Sequence, residues 1–209
     1  MPIGSMPEIT AGGVADDRPG GRRALRKTLL ERRLLLTTDD WRRLSACVCA
    51  HLDDGFPHLS ALAVAFCWPV NNEVDLRPLI DKWARAGRHA GFRALLPVVI
   101  GEQQALRFRA WSPASAMFID RYGIPTPACG DFEIPEALLL PVNGFDLAGY
   151  RLGYGGGYFD RTLASLSPRP LVVGVGFELA RLNSINPEPH DQPLDAMVTE
   201  AGVFRSCRG

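Results

Sequence analysis

A glycine-rich segment at residues 149–161, GYRLGYGGGYFDR, has the residue types that bind phosphate. Glycines adopt positive φ and allow close backbone approach, and N–H groups at the start of a helix form an anion site. Arg151 and Arg161 flank the loop with guanidinium groups, and Asp160 adds a carboxylate that can hold a divalent cation beside phosphates. The segment matches neither the Walker loop nor the Rossmann loop. A phosphate site is nevertheless favoured over a purely structural turn.

The elements around this loop predict where its ligand lies. An apolar run at residues 137–141 precedes the loop and a helix-compatible segment follows from Tyr158, so the predicted order is strand, loop, helix. Glu73 follows a second apolar run, ALAVAFC at residues 61–67, which predicts a strand buried on both faces. Ligands of parallel α/β sheets bind beyond the C-terminal ends of the strands. We therefore expect Glu73, the glycine-rich loop and the segment after Phe177 to share one cleft.

The remaining pattern alternates between helix and strand, which predicts an α/β fold with a mainly parallel sheet flanked by helices, a Rossmann-like layered arrangement. Two helices precede the first strand, and Thr37 or Thr38 is the expected N-cap of the second. The other predicted elements are a helix at residues 76–86 ending at Gly87, an antiparallel strand pair at 93–99 and 105–111, a surface crossing at 122–136, and strands at 171–177 and 196–200.

Composition limits the classes of function. The 209 residues fit one domain, which we expect at residues 22–209 after a flexible leader at 1–21 that is rich in Pro, Gly and acidic residues. The net charge is zero, so no global field attracts nucleic acid or an anionic membrane, and no apolar run is long enough to span a bilayer. Five cysteines without metal-type spacing indicate reduced thiols in a cytoplasmic protein.

Three ordered segments resemble the 5-formyltetrahydrofolate cyclo-ligase family, also called methenyltetrahydrofolate synthetases. The loop at residues 149–160 is similar to the family's RLGxGxGYYD motif. Residues 188–200, with EPHD, LD and VTE, are similar to its EPHDxxLDxxVTE ending, and WPVNNEVDLRPLI at residues 68–80 is similar to its early strand and the glutamate after it. The resemblance extends from about Arg22 to Phe204.

The resemblance implies an enzyme that uses ATP and Mg²⁺ to convert 5-formyltetrahydrofolate to 5,10-methenyltetrahydrofolate, with release of ADP and phosphate. Its partners would be a reduced folate and ATP, not nucleic acid or membrane. Glu73 would contact the folate near its formyl group, although from the residues alone it is equally a cap of the following helix. Carried over by position, the catalytic residues are Glu73, Arg151 and Tyr158, the nucleotide-binding residues are Arg22, Arg26, Arg151, Gly153, Tyr154, Gly155, Gly156, Gly157 and Tyr158, and the magnesium ligands are Asp160 and Asp191.

The chain also departs from the family pattern. Arg22 replaces a Lys and Phe159 replaces a Tyr, whereas Thr126, Ala180 and Asn186 stand where Glu, Gln and Pro are usual. The last three positions lie away from the phosphate loop, so they concern the organic substrate. Two alternatives follow: a paralogue that uses the same ATP loop on another heterocycle, such as a thiamine-related one, or a non-catalytic nucleotide or RNA binder. Zero net charge and the absence of an aromatic-basic surface in the sequence oppose RNA binding.

Overall fold

The structure is a computed structural model that describes residues 21–86 and 91–206. Four helices and twelve strands are found in this part of the chain. The helices are α1 (Gly21–Leu34), α2 (Thr38–Gly55), α3 (Arg77–Ala86) and α4 (Tyr158–Ser165). The strands are β1 (Ala63–Ala65), β2 (Arg93–Val98), β3 (Arg107–Ala110), β4 (Met117–Ile119), β5 (Pro125–Pro127), β6 (Phe132–Glu133), β7 (Ala137–Pro141), β8 (Gly144–Phe145), β9 (Arg151–Leu152), β10 (Leu171–Val175), β11 (Ala196–Thr199) and β12 (Gly202–Arg205).

Eight strands form one mixed sheet in the order β12-β11-β10-β7-β1-β2-β3-β6. The five central strands, β11, β10, β7, β1 and β2, are parallel, whereas β12, β3 and β6 pair antiparallel at the two edges. From β1 the chain moves to β2 on one side, and it later builds β7, β10 and β11 on the other. The order therefore reverses between β1 and β7, and a crevice opens beyond the C-terminal ends of strands at such a point.

Local sequence explains where the first helices begin and end. The Thr37 hydroxyl accepts a hydrogen bond from the Asp40 N–H at 3.1 Å and so caps α2, while Asp39 and Asp40 stabilise its positive N-terminal end. Helix α2 ends at Gly55, directly before Phe56 and Pro57. The Thr37 cap predicted from the sequence is confirmed by this geometry.

The sheet is covered on both faces by apolar side chains. One face packs Val48 and Leu52 of α2 and Ile80 and Trp83 of α3 against the strands. The other face buries Leu163 of α4 with strand residues. A smaller cluster of Leu29, Leu152 and Ile185 fixes α1 over the ends of the strands. Burial of each such side chain contributes about 1.5–3 kcal/mol, so α1 is held where its arginines reach the crevice.

The sequence predicted the α/β class and the antiparallel pair β2–β3 correctly, but several short elements differ. Strand β1 has only three residues because Ala61 belongs to a 3-10 helix and the buried run continues as loop. Residues 122–136 do not simply cross the surface, since they include β5 and β6, and the β8–β9 hairpin and β12 were not predicted. Strands of two to four residues are too short for a clear period.

Two boundary predictions concern the ends of the described segments. Gly21, assigned to the leader, is the first residue of α1, while residues 1–20 lie outside the described part. The predicted helix end at Gly87 also falls outside it. None of the helices in residues 21–86 and 91–206 combines the length and the apolar character needed to cross a bilayer.

Candidate active site

A cleft of about 1290 Å³ lies beyond the C-terminal ends of β1 and β7. Its walls come from α1, the loop after β1, the turn between β4 and β5, the glycine-rich loop with the start of α4, and residues 186–191. All the predicted site residues line it: Arg22, Arg26, Glu73, Arg151, Gly153, Tyr154, Gly155, Gly156, Gly157, Tyr158, Asp160 and Asp191. The fold thus brings together segments that are more than 150 residues apart.

The glycine-rich loop follows the β9 strand and enters α4. Gly155 and Gly157 have φ values of +95° and +63°, which side chains disfavour, and Gly157 is the N-cap of α4 without a capping side chain. Two guanidinium groups hydrogen-bond to carbonyl groups of the loop: Arg26 Nε donates to the Gly153 carbonyl at 3.0 Å and Arg161 Nη2 to the Gly156 carbonyl at 2.7 Å. The loop therefore presents a helix N-terminus between two cations.

Helix α1 supplies a second cation to the same end of the cleft. Arg22 makes a two-pronged contact with Asp191, at 3.0 and 3.2 Å, and an ion pair with Glu188. The pKa of Arg26 is lowered by burial and then by the charge of Arg22, which places two like charges close together. Within the described residues, the buried Nε atoms of Arg22 and Arg161 have no hydrogen-bond partner. Crowded cations with unused donors fit the phosphates of a nucleotide.

Arg151 joins the glycine-rich loop to the C-terminal segment. Its buried guanidinium donates to Asp160 Oδ1 at 2.8 Å and to the Gln192 carbonyl at 2.6 Å. The Gln192 N–H donates to the same Asp160 oxygen at 3.2 Å. Both terminal nitrogens of Arg151 are thus engaged with protein, so in this geometry Arg151 holds Asp160 and residues 191–192 against the loop.

Asp160, at the start of α4, and Asp191, in the C-terminal segment, lie where Arg151 joins these two parts of the chain. Burial alone raises the pKa of Asp191, but the hydrogen bonds from Arg22 and from the Glu188 N–H outweigh it, so its pKa lies below the usual range and the carboxylate stays charged. Among the described residues no three His, Cys, Asp or Glu side chains form a metal cluster. Mg²⁺ commonly binds one or two carboxylates together with nucleotide phosphates. Asp160 and Asp191 beside the glycine-rich loop are thus carboxylates of the kind that can hold a magnesium ion together with phosphates.

Glu73 lines the same cleft where the Tyr154 side chain of the glycine-rich loop reaches it, and it is only 4% exposed. Its Oε1 accepts a hydrogen bond from the Tyr154 hydroxyl at 2.5 Å, and its Oε2 accepts one from the Val70 N–H at 3.1 Å. Burial raises the pKa of this carboxyl, and those two hydrogen bonds oppose the rise. Glu73 does not cap α3, because Asp75 accepts the Arg77 N–H there. Behind the carboxyl is a cavity of about 10 Å³, room for a single water, so Glu73 can meet a ligand only from the large cleft.

Arg33, which was not among the predicted site residues, contacts the site from behind Tyr154. It is 4% exposed, and its Nη2 donates to the Tyr154 hydroxyl at 2.5 Å. Tyr154, predicted to bind nucleotide, therefore has its hydroxyl between Arg33 and Glu73. Arg33 follows Leu29 by one helical turn and so shares its buried face, but the sequence alone does not distinguish a buried arginine from a solvated one at this position.

The walls near Glu73 are largely apolar. Trp68, Leu96, Pro97 and Ile124 line this part of the cleft. At the mouth, the Tyr122 hydroxyl and the Tyr158 hydroxyl are 2.7 Å apart, which joins the β4–β5 turn to the start of α4. Two parts of the cleft thus differ. The part around Arg22, Arg26 and residues 155–157, here called the phosphate end, is cationic and suited to phosphates. The part around Glu73, here called the organic end, has a buried carboxylate that can accept N–H hydrogen bonds from an organic substrate.

The three departures from the family pattern take different places. Thr126 is buried on the cleft wall, with its hydroxyl donating to the Ile124 carbonyl, and Asn186 lines the cleft with a φ of +53°. Ala180 is buried and borders the small cavity behind Glu73 instead of the large cleft. Two of the three positions therefore line the large cleft.

Comparison with known proteins gives a consistent family. The model of the 5-formyltetrahydrofolate cyclo-ligase family matches residues 18–200. The 5-formyltetrahydrofolate cyclo-ligase of Escherichia coli is 28% identical over 83% of this chain and 97% of its own, and that of Mycoplasma pneumoniae is 26% identical over 86% and 98%. The NMR structure of Aquifex aeolicus 5,10-methenyltetrahydrofolate synthetase is similar with a TM-score of 0.77 and 31% identity, covering 90% of this chain and 94% of that one. The resemblance predicted from three sequence segments is confirmed.

Proposed function

The chain belongs to the 5-formyltetrahydrofolate cyclo-ligase family, and from this premise we propose that it converts 5-formyltetrahydrofolate to 5,10-methenyltetrahydrofolate. Membership implies the use of ATP. Dependence on Mg²⁺, release of ADP and phosphate, and action in the cytoplasm are parts of the proposal. The single observation that carries it is that one cleft holds a cation-flanked glycine-rich loop at one end and the buried carboxylate of Glu73 at the other.

The reaction needs the formyl oxygen to become a leaving group. In the proposed sequence, this oxygen takes the γ-phosphoryl group of ATP and ADP leaves, after which the neighbouring folate nitrogen attacks the activated carbon and phosphate departs. Such chemistry requires reactants held in line and negative charge stabilised on the transferring group, with no protein nucleophile. Arg22, Arg26 and the loop N–H groups would supply that stabilisation, and Mg²⁺ would neutralise phosphate oxygens.

The three carboxylates of the cleft would have different roles, two toward the nucleotide and one toward the folate. Asp160 and Asp191 would hold the magnesium ion, because they lie beside the phosphate loop. Glu73 would accept hydrogen bonds from N–H groups of the reduced pterin, since its negative charge is unfavourable near a triphosphate. Arg151 would keep Asp160 in place, and Tyr158, at the first residue of α4, would contact the nucleotide at the mouth of the cleft.

The direct test is a spectroscopic assay of methenyltetrahydrofolate formation from 5-formyltetrahydrofolate. We expect product only when ATP and Mg²⁺ are both present. Arg26→Met should raise the KM for ATP about tenfold or more, because it removes a charge-assisted contact to phosphate. Arg32→Met is the matched control, since Arg32 is an exposed residue of the same helix. A folded protein that binds ATP and forms no product from this folate would overturn the proposal and favour another heterocyclic substrate.

A further inference from the structure

Arg33, Tyr154 and Glu73 form a continuous chain of hydrogen bonds from α1 to the organic end of the cleft. Arg33 Nη2 donates to the Tyr154 oxygen, and the Tyr154 hydroxyl donates to Glu73 Oε1, each at 2.5 Å. The guanidinium also lies 5.8 Å from the centre of the Tyr154 ring. The tyrosine hydroxyl thus has one acceptor and one donor partner, which fixes the direction of its proton toward Glu73.

Arg33 is itself fixed by backbone carbonyls on both sides of the crevice. Its Nε donates to the Asn71 carbonyl at 2.8 Å, and its Nη1 is 3.4 Å from the Val142 carbonyl. Asn71 follows β1 and has a φ of +51°, and Val142 follows β7. One guanidinium therefore joins the ends of the two strands that border the crevice, and its remaining nitrogen is aimed at Tyr154.

We propose that Arg33 is a positioning residue that acts through the Tyr154 hydroxyl to orient the Glu73 carboxyl for the organic substrate and to favour its charged form. This inference rests on the proposed function, which gives Glu73 its role. It assigns Arg33 a part in the reaction although Arg33 touches neither substrate, and it moves the Tyr154 hydroxyl from the nucleotide to the carboxylate.

The charges around Glu73 support this assignment. The groups that face it are Arg33, Tyr154 and the Cys67 thiol. Burial, followed by the charge of Glu73, raises the pKa of both Tyr154 and Cys67, so these groups stay neutral at physiological pH. Arg33 is the cation that offsets the carboxylate within the described residues. A buried carboxylate without its donors and its cation takes up a proton, and a protonated Glu73 no longer accepts two hydrogen bonds as an anion.

The test compares Arg33→Met, Tyr154→Phe and the double variant with Arg32→Met, the exposed control on the same helix. We expect the acidic limb of the kcat–pH profile to move upward by about one pH unit in either single variant. Turnover at neutral pH should fall about tenfold or more, with the KM for ATP changing less than about threefold. Because Arg33 acts in part through the Tyr154 hydroxyl, the shift in the double variant should be smaller than the sum of the two single shifts.

A structural role for Arg33 predicts a different result. In that case Arg33→Met lowers the melting temperature while the kcat–pH profile per folded molecule is unchanged, and its effect adds to that of Tyr154→Phe. Either outcome would overturn the inference. Tyr154→Phe keeps the test valid if Arg33→Met does not fold, because Tyr154 is 48% exposed.

A second measurement needs no substrate and so separates this inference from the proposed function. Since the pKa of Glu73 is raised in the folded protein, the unfolding free energy falls as pH rises from the ordinary Glu value, about 4.3, to the folded pKa, and this fall then stops. In Arg33→Met and in Tyr154→Phe the fall should extend to higher pH, and in a Glu73→Gln background the extension should vanish. If the variants and the wild type gave identical curves of unfolding free energy against pH, the role of the Arg33–Tyr154–Glu73 hydrogen bonds would be refuted even in an active enzyme. The expected curves in an inactive enzyme would refute only the proposed activity.

Discussion

At the phosphate end of the cleft Arg22, Arg26 and Arg161 are only partly buried, with 19% of the Arg22 side chain exposed, whereas at the organic end Glu73 is 4% exposed and Arg33 is equally buried. The first end has several cations crowded around glycine backbone, and the second has one carboxylate with two hydrogen-bond donors and one cation. The difference follows from solvent. A partly hydrated cation tolerates an absent ligand, but a buried carboxylate needs its partners in the protein itself.

The phosphate end should therefore be most sensitive to backbone shape, and the organic end to single polar atoms. Gly155→Val tests the first statement and has the largest expected effect. The φ of +95° at Gly155 strains any side chain, and a Cβ there would lie 3.4 Å from the Arg26 guanidinium. Strain and lost phosphate contacts together should weaken nucleotide binding about a hundredfold, measured by calorimetry.

Gly130→Val is the control for this loss of affinity. Gly130 has a φ of +106° with nothing within 4 Å of its added Cβ, and it does not line the cleft. We expect a similar destabilisation in both variants, but lost nucleotide affinity only in Gly155→Val. Unchanged ATP affinity in folded Gly155→Val would contradict the loop assignment.

Glu73→Gln tests the organic end. The amide keeps the shape of the side chain but removes its charge, so turnover with 5-formyltetrahydrofolate should fall about thirtyfold while nucleotide affinity stays near that of the wild type. The melting temperature at neutral pH should not fall, because a raised pKa means that the charged form is costly to bury. Asp75→Asn, at the start of α3, should show the reverse: lower stability with little change in turnover. Full activity of Glu73→Gln would remove the residue from the reaction.

A third prediction concerns magnesium. Asp160→Asn and Asp191→Asn should each raise the Mg²⁺ concentration for half-maximal activity, by about three- to tenfold, since magnesium keeps most of its water and phosphate ligands. Asp131→Asn, at an exposed aspartate outside the cleft, should leave the titration unchanged. An unaltered magnesium requirement in Asp191→Asn would show that Asp191 is not a magnesium ligand and serves as the ion-pair partner of Arg22.

The smallest effect is expected where the two ends meet at the mouth. Tyr122→Phe removes the 2.7 Å contact with the Tyr158 hydroxyl. Hydrogen bonds between exposed groups contribute little net free energy, so both KM values should change less than about threefold. Steady-state kinetics with each substrate varied in turn would measure this. A large change would indicate that the contact closes the cleft during turnover.

The same contrast explains what the sequence could and could not predict. The phosphate end was predicted because its signal is local: glycines, arginines and an aspartate lie within thirteen residues of one loop. The strand positions that place Glu73 in the crevice were also predictable from apolar runs. The partners of Glu73 were not, since Arg33 and Tyr154 are separated by 121 positions and meet only through packing of α1 over the strand ends. An arginine on an amphipathic helix has the same local pattern whether it is solvated or buried.

Helix α1 makes the order of synthesis matter for this enzyme. Arg22 is among the first residues of the described chain, yet its partner Asp191 is 169 positions later. As a nascent chain leaves the ribosome, α1 is synthesised long before the segment that contains Asp191, the ion-pair partner of Arg22. Contacts between residues so far apart in sequence form late in folding. A ribosome-bound chain that stops before Asp191 has its glycine-rich loop but not the Arg22–Asp191 ion pair, so the phosphate end of the cleft is complete only when the C-terminal segment docks.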